Sequence, residues 1–182
     1  LLIAGPITLI MISWHLTSEA QGYYYTFTSL IALQVFLELG FYLVVTQFAS
    51  HEWAYLSLNE DGVIVGNSDS LSRLISLGRL IFKWYAVATA LFITLVGSGG
   101  YLFLASKPNP GNPWEFQWLA YVVLAGFQLW LLPFIALLEG CNQVANVQLF
   151  RFVQSVFSSI SIWLVLYLGG GLWLAVAGIG IG

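Results

Sequence analysis

The sequence predicts an all-α polytopic membrane protein with about six transmembrane helices. Of its 182 residues, 59% are hydrophobic and only 7% are charged, and the mean hydropathy is +0.88. A typical soluble domain carries about 25% charged residues, so the composition excludes an ordinary water-soluble globule. The apolar runs are long and do not alternate with polar residues, which favours helices over the strands of a β-barrel.

Six apolar runs mark the predicted spans. They are residues 1–16, 23–49, 80–105, 116–138, 149–168 and 172–182. A helix needs about 20 residues to cross about 30 Å of hydrocarbon, and the four central runs reach that length. Because the first and last runs are short, we expect both to be truncated. The sequence therefore predicts one transmembrane domain over residues 1–182 that belongs to a longer protein.

The segment 50–79 is the longest polar connection and is predicted to be a cytoplasmic loop. Short apolar stretches flank the turn sequence Asn59–Gly62, which is typical of a small β-hairpin with glycine in its turn. Asp69 or Ser70 is then expected to cap a helix whose apolar side lies on the membrane surface. A plain linker is the alternative interpretation of this segment.

Basic residues set the predicted orientation. Arg73, Arg79, Lys83 and Arg151 fall on one predicted side of the membrane, and Lys107 falls on the other. Because cytoplasmic loops carry the excess of Lys and Arg, this distribution places the amino terminus and the predicted hairpin in the cytoplasm.

Polar residues within the second predicted span recur at steps of four. Gln34, Glu38 and Tyr42 would share one face of a continuous helix. A carboxylate at the centre of a membrane helix costs about 2.5–3.5 kcal/mol on insertion scales, so it should face protein or water. Two interpretations remain open: this face lines a polar cavity, or Glu38 is a structural partner for a neighbouring helix.

The fifth predicted span repeats this pattern. Gln148, Arg151, Ser155 and Ser158 follow at steps of three, four and three. A guanidinium binds phosphate through two parallel hydrogen bonds, so Arg151 is a candidate phosphate ligand. The alternatives are a charge that sets orientation for Arg151 and close helix packing for the serines.

Three other positions carry polar groups near or within spans. Arg79 and Lys83 lie at the start of the third span, and they are either phosphate-attracting bases or orientation-setting charges. In the fourth span, Gln128 and Pro133 predict a polar contact and a kink, and both are also compatible with simple packing.

The sequence lacks signatures of enzymatic chemistry. It contains neither the phosphate-binding loop G-x-x-x-x-G-K-[ST] nor the zinc-binding pattern H-E-x-x-H. The single cysteine, Cys141, excludes an internal disulfide framework. We therefore expect no enzymatic activity, no cofactor and no metal, and the absence of basic runs argues against a nucleic-acid partner.

The order of short motifs resembles a known transporter family. Glu19–Tyr24 is followed by Phe36–Phe41, Gln47–Ala49, Ala136–Asn142 and Arg151. This order is similar to that of the polysaccharide flippases of the multidrug/oligosaccharidyl-lipid/polysaccharide exporter superfamily, over most of the chain. Two features depart from the family's pattern: the connection 50–70 is longer and less basic, and Glu139 stands where many members carry a base.

The resemblance implies one lobe of a transporter that has two six-helix lobes. Its implied function is to move a lipid-linked oligosaccharide, carried on a polyprenyl diphosphate, across the bacterial inner membrane by alternating access. Membrane lipid, and polysaccharide polymerase or export machinery, are further implied partners. Under this resemblance, the residues expected to line the cavity are Gln34, Glu38, Gln128, Arg151 and Ser155. Those expected to attract the diphosphate are Arg79, Lys83 and Arg151.

Three other functions are compatible with parts of the sequence. A drug or cation antiporter of the same superfamily would share the fold and respond to ion gradients. A membrane-embedded glycan polymerase or transferase would need a large external loop, whereas the longest one predicted here is about ten residues. A non-transporting scaffold would tolerate loss of Glu38 and Arg151.

Overall fold

In the computed structural model, residues 4–38, 40–107 and 113–181 are described, and helices account for most of them. The elements in chain order are α1 (Ala4–His15), α2 (Ser18–Ile31), α3 (Gln34–Glu38), α4 (Phe41–Trp53), β1 (Leu56–Leu58), β2 (Ile64–Gly66), α5 (Ser68–Ala105), α6 (Glu115–Gly140), α7 (Val144–Tyr167) and α8 (Trp173–Ile181). The outermost residues of the first and last predicted spans, 1–3 and 182, lie outside the described residues. The same holds for residues 108–112 of the predicted external turn.

Among the described residues, three helices, α5, α6 and α7, are long and apolar enough to cross a membrane, and a fourth crossing results if α2–α4 is counted as one bent span. The all-α fold class is thereby confirmed. Within the described ranges α1 has 12 residues and α8 has nine. At 1.5 Å per residue these helices measure about 18 Å and about 14 Å, which is less than the hydrocarbon thickness. Six crossings therefore stay a prediction.

The second predicted span, residues 23–49, is not one helix. The chain forms α2, α3 and α4 in succession, with a bend of 45° before α4. Gly40 precedes α4 with φ of +73°, a left-handed conformation that glycine adopts without steric cost. Gln34 and Glu38 consequently lie on α3 and Tyr42 on α4, so spacing by four does not place them on one continuous face.

The predicted hairpin is confirmed. β1 and β2 pair antiparallel, with Ser57 opposite Val65. In the turn, the Gly62 N–H donates to the Asn59 carbonyl at 3.0 Å, and the Val63 N–H donates to Asn59 Oδ1 at 2.8 Å. Gly62 has φ of +75°, which explains why the turn sequence ends in glycine.

Asn67 caps α5, so the prediction that Asp69 or Ser70 caps this helix is wrong. Asn67 Oδ1 accepts hydrogen bonds from the N–H of Asp69 at 2.8 Å and from that of Ser70 at 3.1 Å. An asparagine that immediately precedes the first turn reaches two of its unpaired N–H groups. The helix therefore begins as soon as the second strand ends.

From Ser68, α5 continues without a break for 38 residues, about 57 Å. The predicted loop 50–79 is therefore non-helical only between α4 and α5, at residues 54–67. The helix expected to lie on the membrane surface is not a separate element, because it is continuous with the third predicted span.

An ion pair with a buried carboxylate and a half-exposed guanidinium joins α4 to α5 beside the hairpin. Arg73 donates from Nε to Glu52 Oε1 and from Nη2 to Glu52 Oε2, each at 2.9 Å, and its Nη2 also donates to Ser70 Oγ at 3.0 Å. Glu52 is only 3% exposed. Below it, Ala49 and Leu56 belong to a small apolar cluster that is separate from the main core. Two interactions therefore hold the hairpin against the helices: the ion pair between Arg73 and Glu52, which has two hydrogen bonds, and the apolar contact of Leu56 with Ala49.

The main core depends on close approach of α5 and α6. Trp118 is fully buried and donates from Nε1 to the Gly97 carbonyl at 3.0 Å. Its ring occupies the space beside Gly100, where an added Cβ would lie 2.2 Å from Trp118 Cζ2. Phe27 of α2 packs on the same ring, with 5.1 Å between ring centroids. Glycine at position 100 is what allows the indole to insert between the helices.

Two polar contacts attach the remaining helices. Trp163 Nε1 donates to Thr8 Oγ1 at 2.9 Å, which links α7 to α1. Ser158 Oγ donates to the Gly178 carbonyl at 2.8 Å, which links α7 to α8. These contacts position α7, and with it Arg151, relative to the rest of the bundle.

Replacing Gly100 by Ala should destabilise the protein by about 1–3 kcal/mol, because the new methyl group overlaps the Trp118 ring in a packed interface. The measurement is thermal unfolding of the purified protein in detergent. Gly99→Ala is the matched control, since an added Cβ at Gly99 has nothing within 4 Å. Equal stability of the two variants would contradict the packing described here.

Docking of the hairpin should weaken in acid. The hydrogen bonds from Arg73 hold the pKa of Glu52 below its ordinary value of 4.5. A carboxylate with a lowered pKa contributes stability above the unfolded-state pKa and loses it as pH falls through the lowered folded-state pKa. The protection factors of the hairpin amides, which correct for the intrinsic pH dependence of exchange, should therefore be high at neutral pH and fall as pH drops below about 4.5.

Glu52→Gln should abolish this acid dependence, because the amide does not titrate. Glu60→Gln is the matched control, since Glu60 lies exposed in the turn. If Glu52→Gln exchanged with the same pH profile as the wild type, the ion pair would have no part in docking.

Candidate functional site

A cleft of about 260 Å³ brings four polar side chains together among α3, α6 and α7. We call it the polar cleft. Its polar residues are Gln34, Gln128, Arg151 and Gln154, and its apolar residues are Leu129, Leu131, Leu132, Ile135 and Phe150. A guanidinium and three neutral amides therefore converge within a bundle whose other lining is aliphatic and aromatic.

Local sequence explains how these side chains reach the cleft. Arg151 and Gln154 are three residues apart on α7 and therefore lie on one face. Gln128 on α6 donates from Nε2 to the Ile179 carbonyl at 2.8 Å. That bond fixes the orientation of its amide and leaves the carbonyl oxygen as an acceptor. Gln34 is delivered by α3, the short helix that precedes the bend.

Arg151 also belongs to a group that joins three helices, the Tyr42–Glu139–Arg151 cluster. Arg151 Nη2 donates to Tyr42 Oη at 2.7 Å, and Arg151 Nη1 lies 3.2 Å from Glu139 Oε1. Tyr42 Oη in turn donates to Glu139 Oε2 at 2.5 Å. The guanidinium carbon lies 5.8 Å from the centroid of the Tyr42 ring, within cation–π range. The cluster links α4, α6 and α7.

The charges of this cluster cancel, but the guanidinium keeps spare donors. The Glu139 side chain is 13% exposed and the Arg151 side chain is 40% exposed. Of the five N–H donors of Arg151, the described partners engage two, one each on Nη1 and Nη2. Arg151 therefore presents free N–H groups while remaining paired. Its position allows a second acceptor to approach from the polar cleft.

Three of the predicted cavity residues are in the polar cleft: Gln34, Gln128 and Arg151. Ser155 does not line it, because its Oγ donates to the Phe152 carbonyl of its own helix at 2.7 Å. Glu38 does not line it either.

Glu38 on α3 lies near Tyr85 on α5, and these two helices are in contact. The buried hydroxyl of Tyr85 has no hydrogen-bond partner among the described residues. Glu38 and the Tyr85 hydroxyl therefore form a second polar position, separate from the polar cleft.

Arg79 and Lys83 lie apart from the polar cleft. Both are exposed on α5, which packs against α4 and α6, whereas Arg151 lies on α7. In the part of the chain that the structure describes, neither base forms a hydrogen bond or an ion pair. The three bases predicted to attract a diphosphate therefore do not line one common cleft.

The predicted polar face of the fifth span divides between two neighbours. Gln148 Nε2 lies 3.5 Å from Glu139 Oε1, and Arg151 pairs with the same carboxylate. About two helical turns after Arg151, Ser158 contacts α8 instead. Spacing at steps of three and four identified the face correctly but gave no information on which helix covers each part of it.

Sequence reasoning missed Glu139 and Gln154 as members of the site. Glu139 could have been identified from the sequence, because it stands where many of the polysaccharide flippases carry a base. An acid at that position requires a basic partner. Gln154 could also have been identified, because it follows Arg151 by three residues and therefore lies on the same helix face. Within the described ranges, no group of three or more His, Cys, Asp or Glu side chains is placed to hold a metal ion.

Comparisons with known proteins leave the family open. The chain matches no protein-family model, no curated protein and no solved structure. The resemblance to polysaccharide flippases therefore depends on the short motifs of the sequence. The chemistry of the polar cleft is the independent basis for proposing a function.

Removing either partner of the Glu139–Arg151 pair should cost more than removing both. Each single variant, Glu139→Gln or Arg151→Gln, leaves its partner half-buried without a counter-charge. A double-mutant cycle in detergent should give a coupling energy of about 0.5–3 kcal/mol. Arg79→Gln is the control, and it should combine additively with Glu139→Gln. Strict additivity of the Glu139 and Arg151 changes would contradict the pairing.

Proposed function

We propose that this chain is the amino-terminal lobe of a membrane transporter that moves a lipid-linked oligosaccharide from the cytoplasmic to the outer leaflet. The polar cleft is the observation that carries this proposal. It joins three amides and one guanidinium in a bundle whose long helices are otherwise apolar.

The donor set of the polar cleft suits a sugar attached to phosphate. Each glutamine amide offers both a donor and an acceptor, which is what neighbouring sugar hydroxyls require. A guanidinium binds phosphate oxygens through paired, charge-assisted hydrogen bonds. Polar side chains within membrane helices are rare and usually face substrate paths or structural partners. The exposed N–H groups of Arg151 favour the first of these roles.

Glu139 has a defined part in this proposal. Its carboxylate neutralises Arg151 in the absence of substrate. A phosphate that enters the polar cleft binds the N–H groups of Arg151 that Glu139 and Tyr42 leave free, so Glu139 keeps its partner after binding. Arg79 and Lys83, which are exposed on α5, attract the anionic headgroup to the protein surface rather than hold it in the cleft.

The broken helix α2–α4 supports a transporter over a static bundle. Substrate sites in secondary transporters are typically formed by discontinuous helices, where irregular backbone lines a cavity. Here the break at Gly40 lies between Gln34, which lines the polar cleft, and Tyr42, which bonds Arg151. The break therefore lies at the candidate substrate site.

The proposed setting is the inner membrane of a bacterium, with six crossings and with the amino terminus and hairpin in the cytoplasm. Alternating access then arises by rocking of this lobe against a second one. The proposal keeps polysaccharide polymerase or export machinery as partners that consume the translocated product.

A drug or cation antiporter is the second candidate, and Glu38 is the observation that favours it. An intramembrane carboxylate close to the unsatisfied Tyr85 hydroxyl is a reasonable cation or proton position. This candidate predicts transport that follows an ion gradient and small cationic substrates.

Translocation of a fluorescent polyprenyl-diphosphate oligosaccharide by the full-length protein in proteoliposomes tests the proposal. Gln34→Ala and Gln154→Ala should each lower the initial rate about 2- to 10-fold, which corresponds to the loss of one hydrogen bond to a sugar. Protein abundance should not change, because neither amide has a hydrogen-bond partner among the described residues. Gln47→Ala is the matched control, since Gln47 is exposed on α4.

Three results would overturn the proposal. Efflux of small cationic drugs without movement of the glycolipid would favour the antiporter. Wild-type rates in both cleft variants, or no translocation by the wild type, would leave the polar cleft without a transport role.

A further inference from the structure

A row of polar side chains without partners lies along the first turns of α5. Ser72, Ser76, Arg79 and Lys83 follow at steps of four, three and four, so they lie within about 60° of one face of the helix. We call these four residues the donor stripe. All four are exposed. Within the described ranges, none of their side chains forms a hydrogen bond or an ion pair, so the stripe presents two cations and two hydroxyls that are free to bind a ligand.

The free hydroxyls of the stripe contrast with other exposed serines of this chain. Ser50 and Ser106 each donate to a carbonyl three residues earlier, at 3.0 Å and 2.7 Å. Such local bonds satisfy a hydroxyl within its own helix. Ser72 and Ser76 form no such bond in the structure, and both therefore keep their donor and their acceptors for a molecule outside the helix.

A groove of about 400 Å³ lies beside the stripe, between α4 and α5. We call it the α5 groove. Its lining residues are Phe48, Ser72, Arg73, Ser76, Leu77 and Leu80. Arg73 binds Glu52 through Nε and Nη2, and its Nη1 has no hydrogen-bond partner among the described residues. The groove therefore has one side that donates hydrogen bonds and one side that is apolar.

The donor stripe crosses the level at which the apolar run of α5 begins. That run starts at Leu80, between Arg79 and Lys83. Trp84, which is 43% exposed, follows directly, and tryptophan is enriched at the boundary between hydrocarbon and headgroups. Ser76 lies about 6 Å from Leu80 along the helix axis, which is about the depth of one headgroup layer. The bases and Ser76 therefore lie at the level of lipid phosphates.

We propose that the donor stripe and the α5 groove bind an anionic phospholipid of the surrounding membrane as a resident lipid. Its phosphate contacts Arg79, Lys83 and Ser76, and its acyl chain lies against Phe48 and Leu80 in the apolar side of the groove. This lipid stays with the protein and is not the molecule that the proposed function moves. The inference therefore goes beyond the proposed function and does not depend on it.

The charges favour an anionic lipid over a zwitterionic one. Asp69 is the one acid of α5, and it lies about 15 Å along the helix from Arg79. On α4, Glu52 is already bonded to Arg73. Arg79 and Lys83 therefore keep their positive charges uncompensated. A zwitterionic headgroup would bring its own ammonium close to these two bases, whereas phosphatidylglycerol brings only negative charge and hydroxyls.

Site-specific photocrosslinking tests this inference. The photoreactive residue p-benzoylphenylalanine replaces Leu80 in the α5 groove or, as matched control, Leu102 at the other end of the same helix. These side chains are 67% and 70% exposed. The full-length protein is reconstituted in phosphatidylethanolamine vesicles that contain a minor share of phosphatidylglycerol. The ratio of phosphatidylglycerol to phosphatidylethanolamine crosslinks should be about fivefold higher at position 80 than at position 102, the enrichment that one base provides at an anionic surface.

Variants of the stripe test which groups select the lipid. Arg79→Gln combined with Lys83→Gln should lower the ratio at position 80 to that at position 102, whereas Lys107→Gln, which removes an exposed base outside the stripe, should not. Ser72→Ala combined with Ser76→Ala should lower the ratio about twofold, which corresponds to the loss of a neutral hydrogen bond. Ser106→Ala is the control for the hydroxyls.

A second measurement avoids the photoreactive residue. Native mass spectrometry of the otherwise unmodified protein, purified in detergent, should show more bound phosphatidylglycerol than phosphatidylethanolamine after both are added in equal amounts. The combined Arg79→Gln and Lys83→Gln variant should lose this preference at unchanged protein abundance, whereas Lys107→Gln should keep it.

Four results would overturn the inference. Equal crosslinking ratios at positions 80 and 102 would show that the groove holds lipid without selection. A preference that persists without Arg79 and Lys83 would show that the stripe does not select it. Loss of the enrichment on adding inorganic phosphate would identify a site for free phosphate, and loss on adding polyprenyl diphosphate would identify a site for the transported lipid. Because none of these readouts measures translocation, failure of the proposed function leaves this inference testable.

Discussion

The placement of one cation constrains much of this molecule. Arg151 is the single charged residue of α7, and such a charge within an apolar bundle requires a counter-charge or water. Glu139 of α6 and Tyr42 of α4 both contact the guanidinium, so three helices meet at Arg151. Tyr42 donates to Glu139 and accepts from Arg151, and Glu139 also pairs with Arg151. Each of the three groups therefore has two polar partners within the cluster. Separating any of these helices would expose an unpaired polar group.

Close packing holds the helices together at one end of the bundle, and polar pairing holds them together at the other. Trp118 and the glycines facing it bring α5 and α6 together through shape, with a single hydrogen bond to fix the ring. Around Arg151 the helices are instead held by charge, and α7 packs loosely enough to leave a polar cleft beside α6. A bundle built in this way is firm where side chains interlock and open where polar groups meet. That division is what a binding site within an apolar protein requires.

The sequence predicted the helical class, the three longest helices and the hairpin, because apolar run length and turn chemistry are local properties. It failed where a single residue decides the backbone. The left-handed conformation at Gly40 breaks the second predicted span, although its apolar run continues unchanged on both sides. Asn67 captures the helix cap ahead of Asp69 and Ser70 because it alone directly precedes the first turn. For the site, spacing singled out Gln34 and Arg151, and polarity within an apolar span singled out Gln128. Neither signal indicated the pairing of Arg151 with Glu139, since pairing between helices depends on distances that only the folded chain defines.

The length of α5 gives the hairpin a mechanical property. Residues 68–79 extend the helix about 18 Å beyond the start of the third apolar run, without a proline or glycine break before Gly78. The ion pair between Arg73 and Glu52 joins α5 to α4 beside the hairpin, near the tip of this extension. A helix of this kind acts as a lever: a tilt of about 10° at the membrane boundary displaces its tip by about 3 Å. Small rotations within the bundle are thereby converted into displacements of the hairpin and its acidic turn, Asn59–Gly62.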